Sequence, residues 1–228
     1  IGGSLIVTYN LLLPDLNPLG NVSFIKEDII IRQNKNIINL HGLEGIYELD
    51  SGLSIRDNPA LTSLSGLDNL TFLWGGLYIT NNDSLERLQE LDALVLLSGD
   101  LYINDNKSLT SLNGLGNITY EWIENLLITG NPSLSECATK SICHYLLNPG
   151  GWIIIEHNNT GCETETEIIN ECDTMAVNFT NESSFINLSP IPFHTQAQIE
   201  IKNLAPDKFV EFSLFDLFFE IGVGRGHD

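Results

Sequence analysis

The sequence predicts a solenoid of 24-residue rungs built on short parallel β-strands with few helices, followed by a small, partial all-β segment. Three observations carry that class. The segments LSIRDNPALTSLSGLDNLTFL from Leu53, LYITNNDSLERLQELDALVLL from Leu77 and LYINDNKSLTSLNGLGNITYE from Leu101 align at a period of 24, and periods of this length mark stacked repeats. One asparagine recurs at a fixed place, as Asn10, Asn34, Asn58, Asn82, Asn106, Asn131 and Asn158, with only the last two intervals departing from 24. Apolar residues alternate with a period of two ahead of that asparagine and recur every third residue behind it.

The elements follow in order. Earlier copies begin at Leu5 and Ile29, and later ones at Leu126 and Ile153, the last of them worn down to IIIEHN. The pairs Leu53/Ile55, Leu77/Ile79 and Leu101/Ile103 have the period of a half-buried strand and are expected to point inward. The asparagine that closes each strand can turn inward and satisfy backbone groups of the turn, so that stacked copies form a ladder. Leu61, Leu64, Leu67, Leu70 and Leu73, matched by Leu85, Leu88, Leu91, Leu94 and Leu97, suit extended or 3₁₀-like turns on the far side. Gly66 and Gly114 within that stretch disfavour a long helix. No single copy buries its own apolar face, so neighbours must stack and the ends need caps.

Composition sets limits on function. The chain has 228 residues, 43% of them apolar, which is enough for a sizeable core. Its net charge of -20, with only ten Lys and Arg, opposes binding to nucleic acid or to an anionic membrane surface. No apolar run is long enough for a membrane-spanning helix. The first residues, Ile1 to Ser4, carry no basic leader, and the lone Met is Met175, so the sequence reads as a mature protein or a fragment of one. Cys137, Cys143, Cys162 and Cys172 lack the CxxC spacing of a zinc site and fit two disulfides formed in an oxidising compartment.

The pattern LxIxxNxxLxxLxGLxNLT resembles the leucine-rich repeat. Its 24-residue form with GGLYI and GLxNLT is similar to the ligand-binding L domains of growth-factor and insulin receptors and to related bacterial surface proteins. That likeness spans residues 1–172 and implies a right-handed solenoid with one parallel sheet. The bacterial branch matches better, because its arrays end in cysteine-bearing caps like NPSLSECATKSICHYL followed by GCETETEIINEC. After a polar linker over 173–184, residues 185–228 resemble the carboxy-terminal sorting domain of the type IX secretion system. The similarity rests on Ser189-Pro190-Ile191-Pro192-Phe193, a strand with Ala197, Ile199 and Ile201, and a second with Val210, Phe212 and Leu214. Family members continue with further strands and a basic terminus, whereas this chain gives Phe219 to Asp228, so the sorting segment reads as partial. The resemblance implies a protein secreted by, or held on the outer surface of, a Gram-negative bacterium, with the type IX machinery as a partner.

Four cysteines allow three pairings, and the sequence alone does not select one. If Cys137 and Cys143 belong to the penultimate rung and Cys162 and Cys172 follow the last strand, bridges between rungs give Cys137–Cys162 and Cys143–Cys172. A Cys137–Cys143 bridge would overturn that topology.

On such a sheet the residues between the inward pair form an exposed stripe that includes Ser54, Tyr78 and Tyr102, and Arg56, Thr80 and Asn104 form a second. Tyrosines side by side near an arginine suit contact with a protein or with sugar rings. The plainer reading is that they are cross-strand pairs that strengthen the sheet. Asp57, Asp83 and Asp105 border the asparagine column, but no loop has the dense oxygen spacing that calcium requires, and aspartate is a common turn former. The five histidines, His41, His144, His157, His194 and His227, form no catalytic motif, and Gly222 to Gly226 precede no helix that would hold a phosphate. No metal, cofactor or catalytic residue is expected. The function expected is a non-catalytic recognition or adhesion module binding protein or glycan. The alternative is a structural spacer or the C-terminal part of a larger secreted enzyme.

Overall fold

The computed structural model describes residues 1–175, and every structural statement below concerns them. The sorting segment expected over 185–228 lies outside these residues, as does the linker from residue 176 onward.

The described chain is strand-rich and repeat-like. Its ten strands are β1 (Leu5–Thr8), β2 (Ile29–Arg32), β3 (Glu48–Leu49), β4 (Leu53–Arg56), β5 (Phe72–Leu73), β6 (Leu77–Thr80), β7 (Leu96–Leu97), β8 (Gly99–Asn104), β9 (Ile123–Thr129) and β10 (Ile153–Glu156). The two α-helices, α1 (Lys140–Leu147) and α2 (Glu165–Met175), come late in the chain. Seven strands form one parallel sheet in the order β1-β2-β4-β6-β8-β9-β10, and β3-β5-β7 form a second. Register follows the repeat: Leu5 pairs with Ile29, Ile29 with Leu53, Leu53 with Leu77, Leu77 with Leu101, Leu101 with Leu126 and Leu126 with Ile153.

The alternation in each strand decides which face is buried. Leu53, Ile55, Leu77, Ile79, Leu101 and Ile103 are wholly buried, while Ser54, Tyr78 and Tyr102 between them are only half-buried. Behind the strands the every-third leucines are also fully buried. They are carried on successive one-turn bends. The Leu61 N–H donates to the Asn58 carbonyl at 3.1 Å, that of Leu67 to Leu64 at 3.0 Å, and that of Leu70 to Leu67 at 2.9 Å. A chain bending every third residue keeps one side inward without becoming an α-helix.

Two backbone columns make the bends possible. Gly42, Gly66 and Gly114 hold φ of +112°, +113° and +103°, and a Cβ on any of them would overlap the carbonyl of Leu16, Leu40 or Leu88. In the copy that starts at Leu77 the equivalent position is Glu90, and a 3₁₀ turn, Gln89–Leu91, takes the place of the glycine bend. Directly ahead of the ladder asparagines, Tyr9, Gln33, Asp57, Asn81, Asp105 and His157 adopt left-handed φ between +55° and +59°, and Gly130, ahead of Asn131, holds +69°. This costs each non-glycine residue among them local strain, which the asparagine that follows offsets by turning inward.

The asparagine column is a hydrogen-bonded chain. Oδ1 of Asn82 accepts from the Asn58 backbone N–H at 3.1 Å and from Asn58 Nδ2 at 3.2 Å, and Asn82 Nδ2 donates to the Ile55 carbonyl at 2.9 Å. Asn58, Asn106 and Asn131 repeat the pattern. Asn34, Asn58, Asn82, Asn106 and Asn131 are fully buried. Asn10 joins the ladder as expected, its backbone N–H and Nδ2 both donating to Asn34 Oδ1 at 3.0 Å, but it is exposed, because β1 is the sheet edge and no repeat covers it. At the other end Asn158 Nδ2 donates to the carbonyls of Ile128 and Cys162, which ties the ladder to the cap.

The cap closes the core with disulfides Cys137–Cys162 and Cys143–Cys172, which join residues 25 and 29 apart in sequence. Cys143 lies on α1 and Cys172 on α2, so the two helices are stitched together. Ile168 of α2 is wholly buried against the end of the core. The Glu167 N–H donates to Thr164 Oγ1 at 3.2 Å, and the Glu167 carboxylate accepts from the N–H groups of Gly161 and Glu163, so the start of α2 is held down. Helix α2 runs to Met175, so the linker expected to begin at 173 starts inside helical chain; the Cys172 bridge anchors that last turn.

Candidate binding face

The open face of the seven-stranded sheet is built from residues that alternation pushes outward. Ser54, Tyr78 and Tyr102 stand directly opposite one another on β4, β6 and β8, and Arg56, Thr80 and Asn104 form the adjoining row. All six expected contact residues therefore share three neighbouring strands. The Tyr78 and Tyr102 rings meet edge to face with centroids 5.1 Å apart, and the Arg56 guanidinium carbon lies 5.1 Å from the Tyr78 centroid. Such contacts add ring and cation–π attraction to simple cross-strand packing.

The two rows do different things. Thr80 Oγ1 donates to Asn104 Oδ1 at 2.9 Å, and Asn104 Nδ2 donates to Asp105 at 2.9 Å, so Asn104 bonds with polar neighbours and not with the tyrosines. Beyond this row, at the C-terminal ends of the strands, Asp57, Thr80, Asn81, Asp105, Lys107 and Gly130 line an open recess of about 410 Å³. Asn81 Nδ2 donates to Asp57 at 2.6 Å, and Lys107 Nζ pairs with Asp83 at 2.7 Å. Among the described residues, no three His, Cys, Asp or Glu side chains converge as a metal-binding group.

A third column, just ahead of the inward residue that opens each strand, completes the face and did not come out of the sequence. It runs Asp28, Gly52, Gly76, Asp100, Asn125 and Trp152. Trp152 is 46% exposed, and its ring centroid lies 5.6 Å from that of Tyr102, at 40° between planes. Trp152 thus reaches past β9 to extend the tyrosine pair. Asp100 Oδ2 accepts from the Tyr78 hydroxyl at 3.3 Å, Asp100 Oδ1 accepts from Asn125 Nδ2 at 2.7 Å, and Asn125 Oδ1 accepts from the Trp152 backbone N–H at 3.1 Å. The signal for this column is weak, since its members share neither charge nor size, only their place one residue before the strand.

The surroundings of the phenols shift their ionisation. Burial, followed by hydrogen bonding to and the charge of Asp100, pushes the Tyr102 hydroxyl up to about 12 from an ordinary 10.0. Burial, with Asp100 next, raises Tyr78 as well, while the charge of Arg56 opposes the rise. A phenol whose pKa is higher folded than unfolded holds its proton more tightly in the native state. The stability it contributes is complete below pH 10 and is lost as pH rises through 12. Titration of the phenolate absorbance band is expected to show one tyrosine ionising near pH 12, and Asp100→Asn is expected to bring it down; an unchanged value in the variant would remove Asp100 from the face.

No family model matches the chain, and no curated protein or solved structure matches it either. Among the described residues no helix is long and apolar enough to cross a membrane.

Proposed function

We propose that the chain is a leucine-rich-repeat solenoid whose open sheet face holds a macromolecular partner and catalyses no reaction. Support for the solenoid comes from the 24-residue strand register and the buried asparagine column. The observation that carries the functional reading is the contiguous run of Arg56, Tyr78, Tyr102 and Trp152 on the open face of a sheet whose other side is packed, with Arg56 and Trp152 exposed and the two tyrosines half-buried between them. Aromatic and arginine side chains on a rigid support lose little conformational freedom when a partner docks. Ser54, Thr80 and Asn104 supply polar contacts at its margin. The two disulfides fit a compartment outside the reducing cytosol. Within this reading the protein works at the outer surface of a Gram-negative bacterium or beyond it, and residues 185–228 address it to the type IX export machinery.

The test is a screen of the full chain against immobilised proteins and glycans, followed by the double variant Tyr78→Ala with Tyr102→Ala. Loss of two central contact residues is expected to weaken the captured partner by about 30-fold or more, the size of a 2 kcal/mol hot spot. Binding left intact in a variant with an unchanged unfolding midpoint would mean that the sheet face is not the recognition surface.

A further inference from the structure

The sheet face combines two surfaces that seldom suit the same ligand: an aromatic row and, two residues further along the same strands, a recess with no apolar side chain in its lining. Resting on the reading of this face as a recognition surface, we propose that its occupant is a neutral glycan chain. The sugar rings stack on Tyr102 and Trp152, and the hydroxyls enter the recess of Asp57, Thr80, Asn81, Asp105, Lys107 and Gly130.

The aromatic row has the posture that sugar stacking needs. The Tyr102 and Trp152 ring centroids lie 5.6 Å apart with 40° between their planes, a spacing of about one sugar ring. Tyr78 is laid against the backbone of Gly76, where any Cβ would come within 2.6 to 2.7 Å of its ring and hydroxyl atoms. Its hydroxyl is held by Asp100, which Asn125 holds in turn. Tyr78 is thus fixed before a ligand arrives and backs the Tyr102 ring edge to face, so little ordering cost remains at that pair. One face of a pyranose presents polarised C–H groups, which are attracted to the negative face of an aromatic ring.

The recess supplies the other half. Thr80 sits two residues beyond Tyr78 and faces the same way, so a glycan long enough to run from Tyr102 and Trp152 toward the C-terminal ends of the strands brings its hydroxyls to the hydroxyl, amide, carboxylate and ammonium groups of the recess. An apolar protein side chain would find no partner there. Charge disfavours acidic glycans where the sugars stack: the chain carries -20 overall, Asp57, Asp100 and Asp105 stand on or beside the face, Lys107 is already paired with Asp83, and the exposed cations Arg32 and Arg56 lie on β2 and β4, on the far side of Tyr78 from Tyr102 and Trp152.

The test uses the full chain and a panel of biotinylated hexasaccharides: neutral glucans, mannans, galactans and N-acetylglucosamine oligomers, with heparin-derived and galacturonate oligomers as charged controls. At least one neutral oligosaccharide is expected to bind. Trp152→Ala is expected to weaken it by about 10-fold or more, with partial rescue by Trp152→Phe, and Thr80→Val to weaken it several-fold. Trp152 is half exposed, so the variant keeps its unfolding midpoint. Absence of neutral binding, equal binding by Trp152→Ala, or preference for the charged oligomers would overturn the proposal. A protein captured through Tyr78 and Tyr102 with no neutral oligosaccharide bound would overturn the glycan assignment and leave the recognition reading standing.

Discussion

Asn82→Ala is expected to lower the unfolding free energy by about 3 to 5 kcal/mol, measured by urea denaturation followed by circular dichroism. The substitution removes an acceptor that serves two donors on Asn58 and a donor that serves the carbonyls of Ile55 and Thr80. Asn58, Ile55 and Asn82 itself are buried with no path for water to take over. Each orphaned buried group costs roughly 1–3 kcal/mol, far more than the small transfer gain from a shorter side chain. Asn82→Asp is expected to fail at neutral pH as well, since it keeps the acceptor, loses both donated bonds and adds a buried charge. Asn10→Ala provides the contrast. Its side chain is exposed at the sheet edge, where water replaces the lost bonds, so the loss there should stay below about 1 kcal/mol.

Replacing Cys137 and Cys162 together by Ala is expected to cost roughly 3.5 kcal/mol. The bridge closes a 25-residue loop, and its loss restores that much chain entropy to the unfolded state. For a chain of this size the unfolding midpoint should fall by about 10 °C. The effect has a place as well as a size. Both sulfurs are wholly buried beside Ile168, so the helical cap loosens first and uncovers the last apolar layer around Leu134 and Ile128. Differential scanning calorimetry should show the wild type in reductant moving toward the variant, and a variant that melts with the oxidised wild type would remove the bridge from the account.

The parallel repeat was legible because its signals are periodic: the asparagine interval, the strand alternation and the every-third leucines each recur several times, and repetition separates them from chance. The small second sheet of Glu48–Leu49, Phe72–Leu73 and Leu96–Leu97 was legible only as extended chain, since two-residue strands leave no alternation to read. On the face, Tyr78 and Tyr102 could be placed as neighbours from register alone. Trp152 could not, because it approaches Tyr102 from a strand two positions away in the sheet, past Leu127, and only coordinates show how far an indole reaches. The recess escaped for a related reason. Asp57, Asn81 and Asp105 read as turn formers, which they are, and their left-handed φ also gathers their side chains around one hollow.

The backbone amides of Asn34, Asn58, Asn82 and Asn106 test the central claim most directly. Each donates to the side-chain oxygen of the next asparagine and not to a strand partner, so an ordinary loop asparagine at these positions would have no reason to be protected. Native-state hydrogen exchange is predicted to show all four amides opening only with global unfolding, at the same free energy as the amides of Ile55 and Ile79 in the strands. Exchange at loop-like rates, or four unrelated opening energies, would contradict a continuous buried ladder.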